Sequence, residues 1–193
     1  MRFHLAGAVV CLFVITVCSA AFAKSDIGFY GIGGKLGFVM PEDPIESTFG
    51  LGIQADLGTV AKDVHLSALL DFWKKSYDEE VVVPGFTAAS GEASFTEIVI
   101  GATAKYFFQT ASQIEPYAGA GLGFTIGRSK WEATYQGVKH EGSHSDTDLG
   151  FHLLGGVEYP LSPTVNGIAE AKYHLDGADY FGIYVGVMYL LGK

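Results

Sequence analysis

The chain has 193 residues, with 21 acidic against 12 basic side chains and a formal net charge of −9. Such a surplus of negative charge repels phosphates and excludes nucleic acid as a partner. Apolar residues make up 49% of the chain and charged ones only 17%, which excludes a disordered acidic polypeptide and fits one sizeable domain.

Arg2, an apolar run over residues 5–17 and the small-residue ending Ala21-Phe22-Ala23 read as a secretory signal with its cleavage site. The expected division is therefore a cleaved signal, residues 1–23, and one domain, residues 24–193. Taken as a membrane helix the run is too short for a comfortable span. Both cysteines, Cys11 and Cys18, fall inside it, so the processed chain is expected to hold no disulfide.

Beyond residue 23 apolar residues fall at alternate positions and no helical period is sustained, the pattern of an all-β chain. Eight segments emerge in order, near residues 27–39, 48–58, 64–75, 94–108, 116–130, 147–159, 166–175 and 180–191. The first, third, fifth and seventh connections, residues 40–47, 76–93, 131–146 and 176–179, alternate with tight ones at 59–63, 109–115 and 160–165. Three of the first set are polar or acidic and are expected to be long mobile loops. An even strand count with long loops on one rim and short turns on the other predicts an eight-stranded antiparallel up-and-down transmembrane β-barrel, its short turns facing the periplasm.

Alternation alone fits a soluble barrel as well, with the apolar face turned inward. The composition of the other face decides. In the fifth segment Ala118, Ala120, Leu122, Phe124 and Ile126 oppose Gly119, Gly121, Gly123 and Gly127. In the eighth, Phe181, Ile183, Val185, Val187 and Tyr189 oppose Gly182, Tyr184 and Gly186. A face in water would carry Lys, Glu and Thr, whereas glycine suits the crowded interior of a narrow barrel. Aromatics of the apolar parity also collect at segment ends. Phe49, Phe72, Phe151, Tyr173 and Phe181 lie toward one rim, and Tyr30, Tyr106, Phe108, Tyr159 and Tyr189 toward the other, as in the girdles at the two membrane interfaces.

The stretches Pro116-Tyr117-Ala118-Gly119-Ala120-Gly121-Leu122-Gly123-Phe124 and Leu154-Gly155-Gly156-Val157-Glu158-Tyr159-Pro160-Leu161, with Ala169-Glu170-Ala171-Lys172-Tyr173, closely resemble the OmpA-like family of small outer-membrane barrels. The resemblance implies a Gram-negative outer-membrane location among lipids that include lipopolysaccharide, with periplasmic chaperones and the barrel assembly machinery as partners in biogenesis. The final segment, Tyr184 to Leu191, looks like the signal that machinery reads. It departs from the family pattern in ending on Gly192-Lys193 rather than on an aromatic residue.

Parity turns Lys35, Asp56, His65, Asp71, Glu97, Lys105, His152, Glu158, Glu170 and Lys172 inward. Opposite charges in a space shielded from water are expected to pair, as a structural plug or as the lining of a narrow pore. Lys74, Arg128 and Lys130 fall on the lipid-facing parity near the long-loop rim, where they are expected to meet lipopolysaccharide phosphates. The loops carry Asp43, Glu46, Asp78, Glu79, Glu80, Glu92, Glu132, Glu141 and Asp146, a solvated surface or a recognition surface for cations or a basic extracellular partner.

Two motifs point to catalysis, and their settings argue against it. His140-Glu141-Gly142-Ser143-His144 matches the zinc-protease pattern H-E-x-x-H but carries glycine and serine and falls in an expected loop rather than a helix. Adventitious metal binding through His140, His144 and Asp146 is the lesser possibility there. His65 and Ser67 have the residue types of lipid A deacylases, yet parity points both into the lumen near the short turns. No catalytic residue, resident metal or cofactor is therefore expected. The expected role is structural and surface-interacting in the envelope. The alternatives are a narrow channel or OmpW-like transport of small or apolar solutes, and, behind these, a lipid A-modifying enzyme.

Overall fold

The computed structural model describes residues 25–81, 89–135, 138–176 and 178–191; residues 1–23, read as a signal, and the Gly192-Lys193 ending lie outside them. Eight strands form in chain order: β1 (Asp26–Pro41), β2 (Thr48–Ala61), β3 (Val64–Val81), β4 (Ala89–Phe107), β5 (Glu115–Tyr135), β6 (Val138–Ser162), β7 (Val165–Leu175) and β8 (Tyr180–Leu190). Each pairs antiparallel with its neighbours in sequence, and β1 pairs with β8, so the sheet closes into a barrel. Closure leaves no edge, which is what a sheet needs in hydrocarbon, where unpaired N–H and C=O groups cost several kcal/mol each.

The side chains sort by parity as the period-2 pattern requires. Outward-facing apolar residues are openly exposed: Phe124 at 62%, Val185 at 61% and Leu122 at 56%. The aromatics of both expected girdles, apart from the half-buried Tyr30, are exposed on the outside too, and Phe38 and Phe49 meet edge to face at 5.8 Å. Inward positions are buried, and the charged ones among them include Lys172 and Glu97 at 0% exposure. Apolar surface on this scale, wrapped around a polar interior, is the arrangement of a barrel whose solvent is lipid.

Glycine is required where an interior side chain lies flat across a neighbouring strand. A Cβ on Gly150 would stand 2.6 Å from the His174 ring, and one on Gly52 would collide with Asp71 and Lys35. The bore of eight strands leaves no space for both partners to carry side chains.

The structure corrects the expected loops. Residues 76–81 and 89–93 form a paired ladder from Ser76↔Ser94 up to Val81↔Ala89. Trp131 to Asp146 is likewise a hairpin, paired from Gly127↔Asp146 to Tyr135↔Val138. β6 is 25 residues long, while β7 and β8 are 11 each, and about 9–11 residues suffice to cross a bilayer. The wall formed by β3 to β6 therefore rises far beyond the hydrocarbon zone on one rim, here called the tall rim; the opposite end is the turn rim. Above the membrane both faces of a strand meet water, so the apolar alternation that marks a strand stops although the hydrogen-bonded ladder continues.

Arginine at Leu122, on the outer face in the middle of β5, should lower the free energy of unfolding in lipid vesicles by about 2–4 kcal/mol. Lysine at Glu92, on the ladder above, should leave it nearly unchanged. Urea titration of vesicle-inserted protein measures both.

Candidate functional site

The inward residues of β1, β2, β3, β4, β5, β7 and β8 build a sealed layer across the middle of the barrel. Lys35 donates to Glu170 at 2.8 Å and lies 3.4 Å from Asp71. Lys172 donates to the other oxygen of Asp71. Lys105 donates to Gln54 at 3.0 Å and lies 3.6 Å from Glu170, which also accepts from the Tyr117 hydroxyl at 2.9 Å. Three ammonium groups thus share two carboxylates. Aromatic faces take up part of the surplus, since Lys35 sits 4.7 Å from the Tyr184 ring centre, Lys105 4.6 Å from Tyr117 and Lys172 5.2 Å from Tyr180. All five charged groups are at most 4% exposed.

On the tall-rim side of this layer lies an aromatic one. Trp73 packs with Val39, Tyr180 and Tyr184, and donates through Nε1 to Glu97 at 3.1 Å. His174 stacks on Tyr180 at 5.1 Å and on His152 at 5.8 Å. The two imidazoles reach Thr125 at 3.0 Å and Thr103 at 2.7 Å respectively. On the turn-rim side a vestibule of about 560 Å³ opens between Asp56, His65, Lys105 and Glu158. There His65 lies 3.8 Å from Asp56, and Glu158 accepts from Asn166 at 3.1 Å.

Of the inward residues expected from sequence, the structure joins Lys35, Asp71, Lys105, Glu170 and Lys172 into one network. It leaves Glu97 outside that network, on Trp73, and places Asp56, His65 and Glu158 in the vestibule. Sequence reasoning set Tyr117 and Tyr184 on the inner parity without giving them a part in the plug, and missed Trp73, Tyr180 and His174; all five complete it. Parity was the available signal, because His174 stands two residues beyond Lys172 on the same face of β7. Asp176, in the turn after β7, carried no signal.

Lys74, Arg128 and Lys130 lie on the outer face, as parity indicates. Lys74, Thr96, Arg128 and Ser145 form one row across β3, β4, β5 and β6; Ser94, Lys130 and Ser143 stand in the next row up. Together with Ile98 and Ile126 beneath, they line a shallow groove of about 500 Å³. One row above Lys130 come Glu92, Glu132 and Glu141, with Lys139 at 2.7 Å from Glu132 and 3.4 Å from Glu141. Hydrogen bonding to Glu132, assisted by the charges of both glutamates, holds the Lys139 ammonium above its ordinary pKa.

His140 and His144 lie in β6, four residues apart along a strand and so about 13 Å from each other; they cannot share a metal as the H-E-x-x-H pattern demands. His144 instead lies 2.7 Å from Asp146. No hydrogen bond joins His65 to Ser67 among the described residues, and His65 packs edge-on against Phe107 at 5.0 Å.

A closed eight-stranded ring, lipid-facing outside and plugged by charge pairs within, defines the class of small transmembrane β-barrels. Residues 9–190 match the outer membrane protein beta-barrel domain, and the chain belongs to that family. Its fold is similar to that of Neisserial surface protein A, with a TM-score of 0.58 at 20% identity over 86% of this chain and 99% of that one. It is also similar to Ail, the attachment invasion locus protein of Yersinia pestis, at 0.52 and 15% over 86% and 100%. A major outer membrane protein of Thermus thermophilus matches at 0.51 and 12% over 85% and 100%. No curated protein sequence matches the chain significantly.

Removing one member of the buried network strands its partners, whereas apolar replacement of a pair does not. Asp71→Ala should therefore destabilise the folded barrel by about 3–5 kcal/mol, while Asp71→Leu combined with Lys172→Met should cost clearly less. A double-mutant cycle read by urea unfolding in vesicles compares them.

Proposed function

We propose that this protein is a structural, surface-interacting barrel of the outer membrane rather than a conduit. The observation that carries the reading is the double seal in the lumen. Fully buried ion pairs and a Trp73–Tyr180–Tyr184 layer occupy the midsection. An ion crossing it would have to break charge pairs in a water-poor space. The surfaces free to work are then the outer wall and the tall ladders.

On the outer wall the groove around Lys74, Arg128 and Lys130 has the layout of a lipid-phosphate contact. Hydroxyls of Thr96, Ser94, Ser143 and Ser145 stand among the three cations, and Ile98 and Ile126 lie where acyl chains begin. Arginine supplies paired N–H donors to a phosphate, and the lysines add charge. Lipopolysaccharide is the matching ligand. The acidic row above, Glu92, Glu132 and Glu141, favours divalent ions bridging neighbouring sugar phosphates or a basic extracellular partner. Export through a cleaved signal, and delivery by periplasmic chaperones to the barrel assembly machinery, complete this reading.

In planar bilayers the purified protein should give no steady ion current; sustained conductance that changes on Glu97→Gln or Lys105→Gln would favour the pore instead. Replacing Lys74, Arg128 and Lys130 together by glutamine should reduce the lipopolysaccharide retained through purification by several-fold, with folding unchanged as judged by heat-modifiable gel migration. Unchanged retention would remove the groove from the proposal.

A further inference from the structure

The tall-rim end of the lumen holds a charge imbalance that the plug does not resolve. Glu97 is 0% exposed, yet only one of its oxygens has a partner, the Trp73 indole; Oε2 has none. Asp176 Oδ2 is likewise buried without a hydrogen bond, while its Oδ1 accepts from the Ala178 N–H. Among the described residues no ammonium or guanidinium stands within ion-pairing distance of either carboxylate. Two carboxylates here share one imidazole, His174, which is itself 0% exposed.

The three groups converge. One ligand atom from each of Glu97, His174 and Asp176 lies within 4.8 Å of the others, and His174 Nε2 stands 3.3 Å from Asp176 Oδ2. That second distance is what two ligands of a tetrahedral zinc show, about 3.4 Å for bonds of about 2.1 Å. Glu97 and Asp176 both line a cavity of about 200 Å³ that opens toward the tall rim. His144, Asp146 and Asp148, on its walls, are exposed and form an acidic mouth. Such a funnel raises the local concentration of cations.

We infer that Glu97, His174 and Asp176 form a binding site for a divalent transition-metal ion, of which Zn²⁺ is the representative. One nitrogen and two carboxylate oxygens suit zinc and its neighbours rather than Mg²⁺ or Ca²⁺, which take oxygen alone. The ion neutralises two buried carboxylates that otherwise face each other. It also ties the turn after β7 to the wall of β4, two elements on opposite sides of the mouth. Binding takes the Nε2 lone pair that Thr125 Oγ1 now contacts at 3.0 Å, and the remaining coordination positions take water.

The test uses the folded, chelator-treated barrel in detergent, titrated calorimetrically with Zn²⁺. One equivalent should bind with micromolar or tighter affinity, and Asp176→Asn and His174→Gln should each weaken it at least tenfold. The His140→Gln variant, which removes the H-E-x-x-H histidine that does not line the cavity, should stay within about threefold of the parent. Gel migration establishes that each variant is folded. A readout on the intact ligand set uses Trp131→Phe protein, whose remaining tryptophan is Trp73. Co²⁺ should quench its fluorescence and show the visible ligand-field absorption of a four- or five-coordinate ion. Absence of a one-to-one Zn²⁺ equivalent, affinity indifferent to Asp176 and His174, affinity lost with His140, or unquenched Trp73 would each overturn the assignment.

Discussion

Backbone polar groups in hydrocarbon must find partners within the protein, and that constraint governs the rest of this structure. A sheet satisfies it only by closing, and with eight strands closure fixes a bore too narrow for side chains to face each other freely. From the bore follows the composition of the inner face. Glycine lines it wherever a large residue lies across, as Gly52 does beneath Lys35 and Asp71 and Gly150 beneath His174. The outer face carries no such restriction and is simply apolar.

A narrow bore also sets the electrostatics. Charges inside it cannot hydrate, so each must be answered by another side chain at hydrogen-bond distance. Lys35 and Lys105 share Glu170, Lys35 and Lys172 share Asp71, and tyrosine faces absorb the third positive charge. Toward the tall rim the same demand falls on Glu97 and Asp176 without a lysine to meet it. The contrast between these two ends of one lumen separates a structural plug from a place where something else can bind.

Much of the architecture was legible because lipid and a crowded interior impose opposite chemistry at alternate positions, so Leu122 against Gly121 is readable in one dimension. The inward charges on β1, β3, β4 and β7 followed from the same rule. Two features escaped it. Above the membrane, Glu132, Lys139 and Glu141 lie on strands that have water on both sides, and a mostly polar stretch without apolar alternation looks like a loop although the ladder runs on to Tyr135↔Val138. The convergence of Glu97, His174 and Asp176 escaped as well, because it depends on the stagger between β4 and β7, which do not neighbour each other in the ring. Parity tells which side a residue faces, not the height at which it meets a distant strand.

The partners of Lys35 bear on how the barrel closes. Its ammonium belongs to the first strand, while the carboxylates it needs come from the third and the seventh, and the bond to Glu170 spans 135 residues of chain. Strands added in sequence would give Lys35 its Asp71 partner with the third strand but withhold Glu170 until the seventh. The full set of partners is complete only when the chain has come nearly full circle, so the charge network of the lumen is tied to closure of the ring.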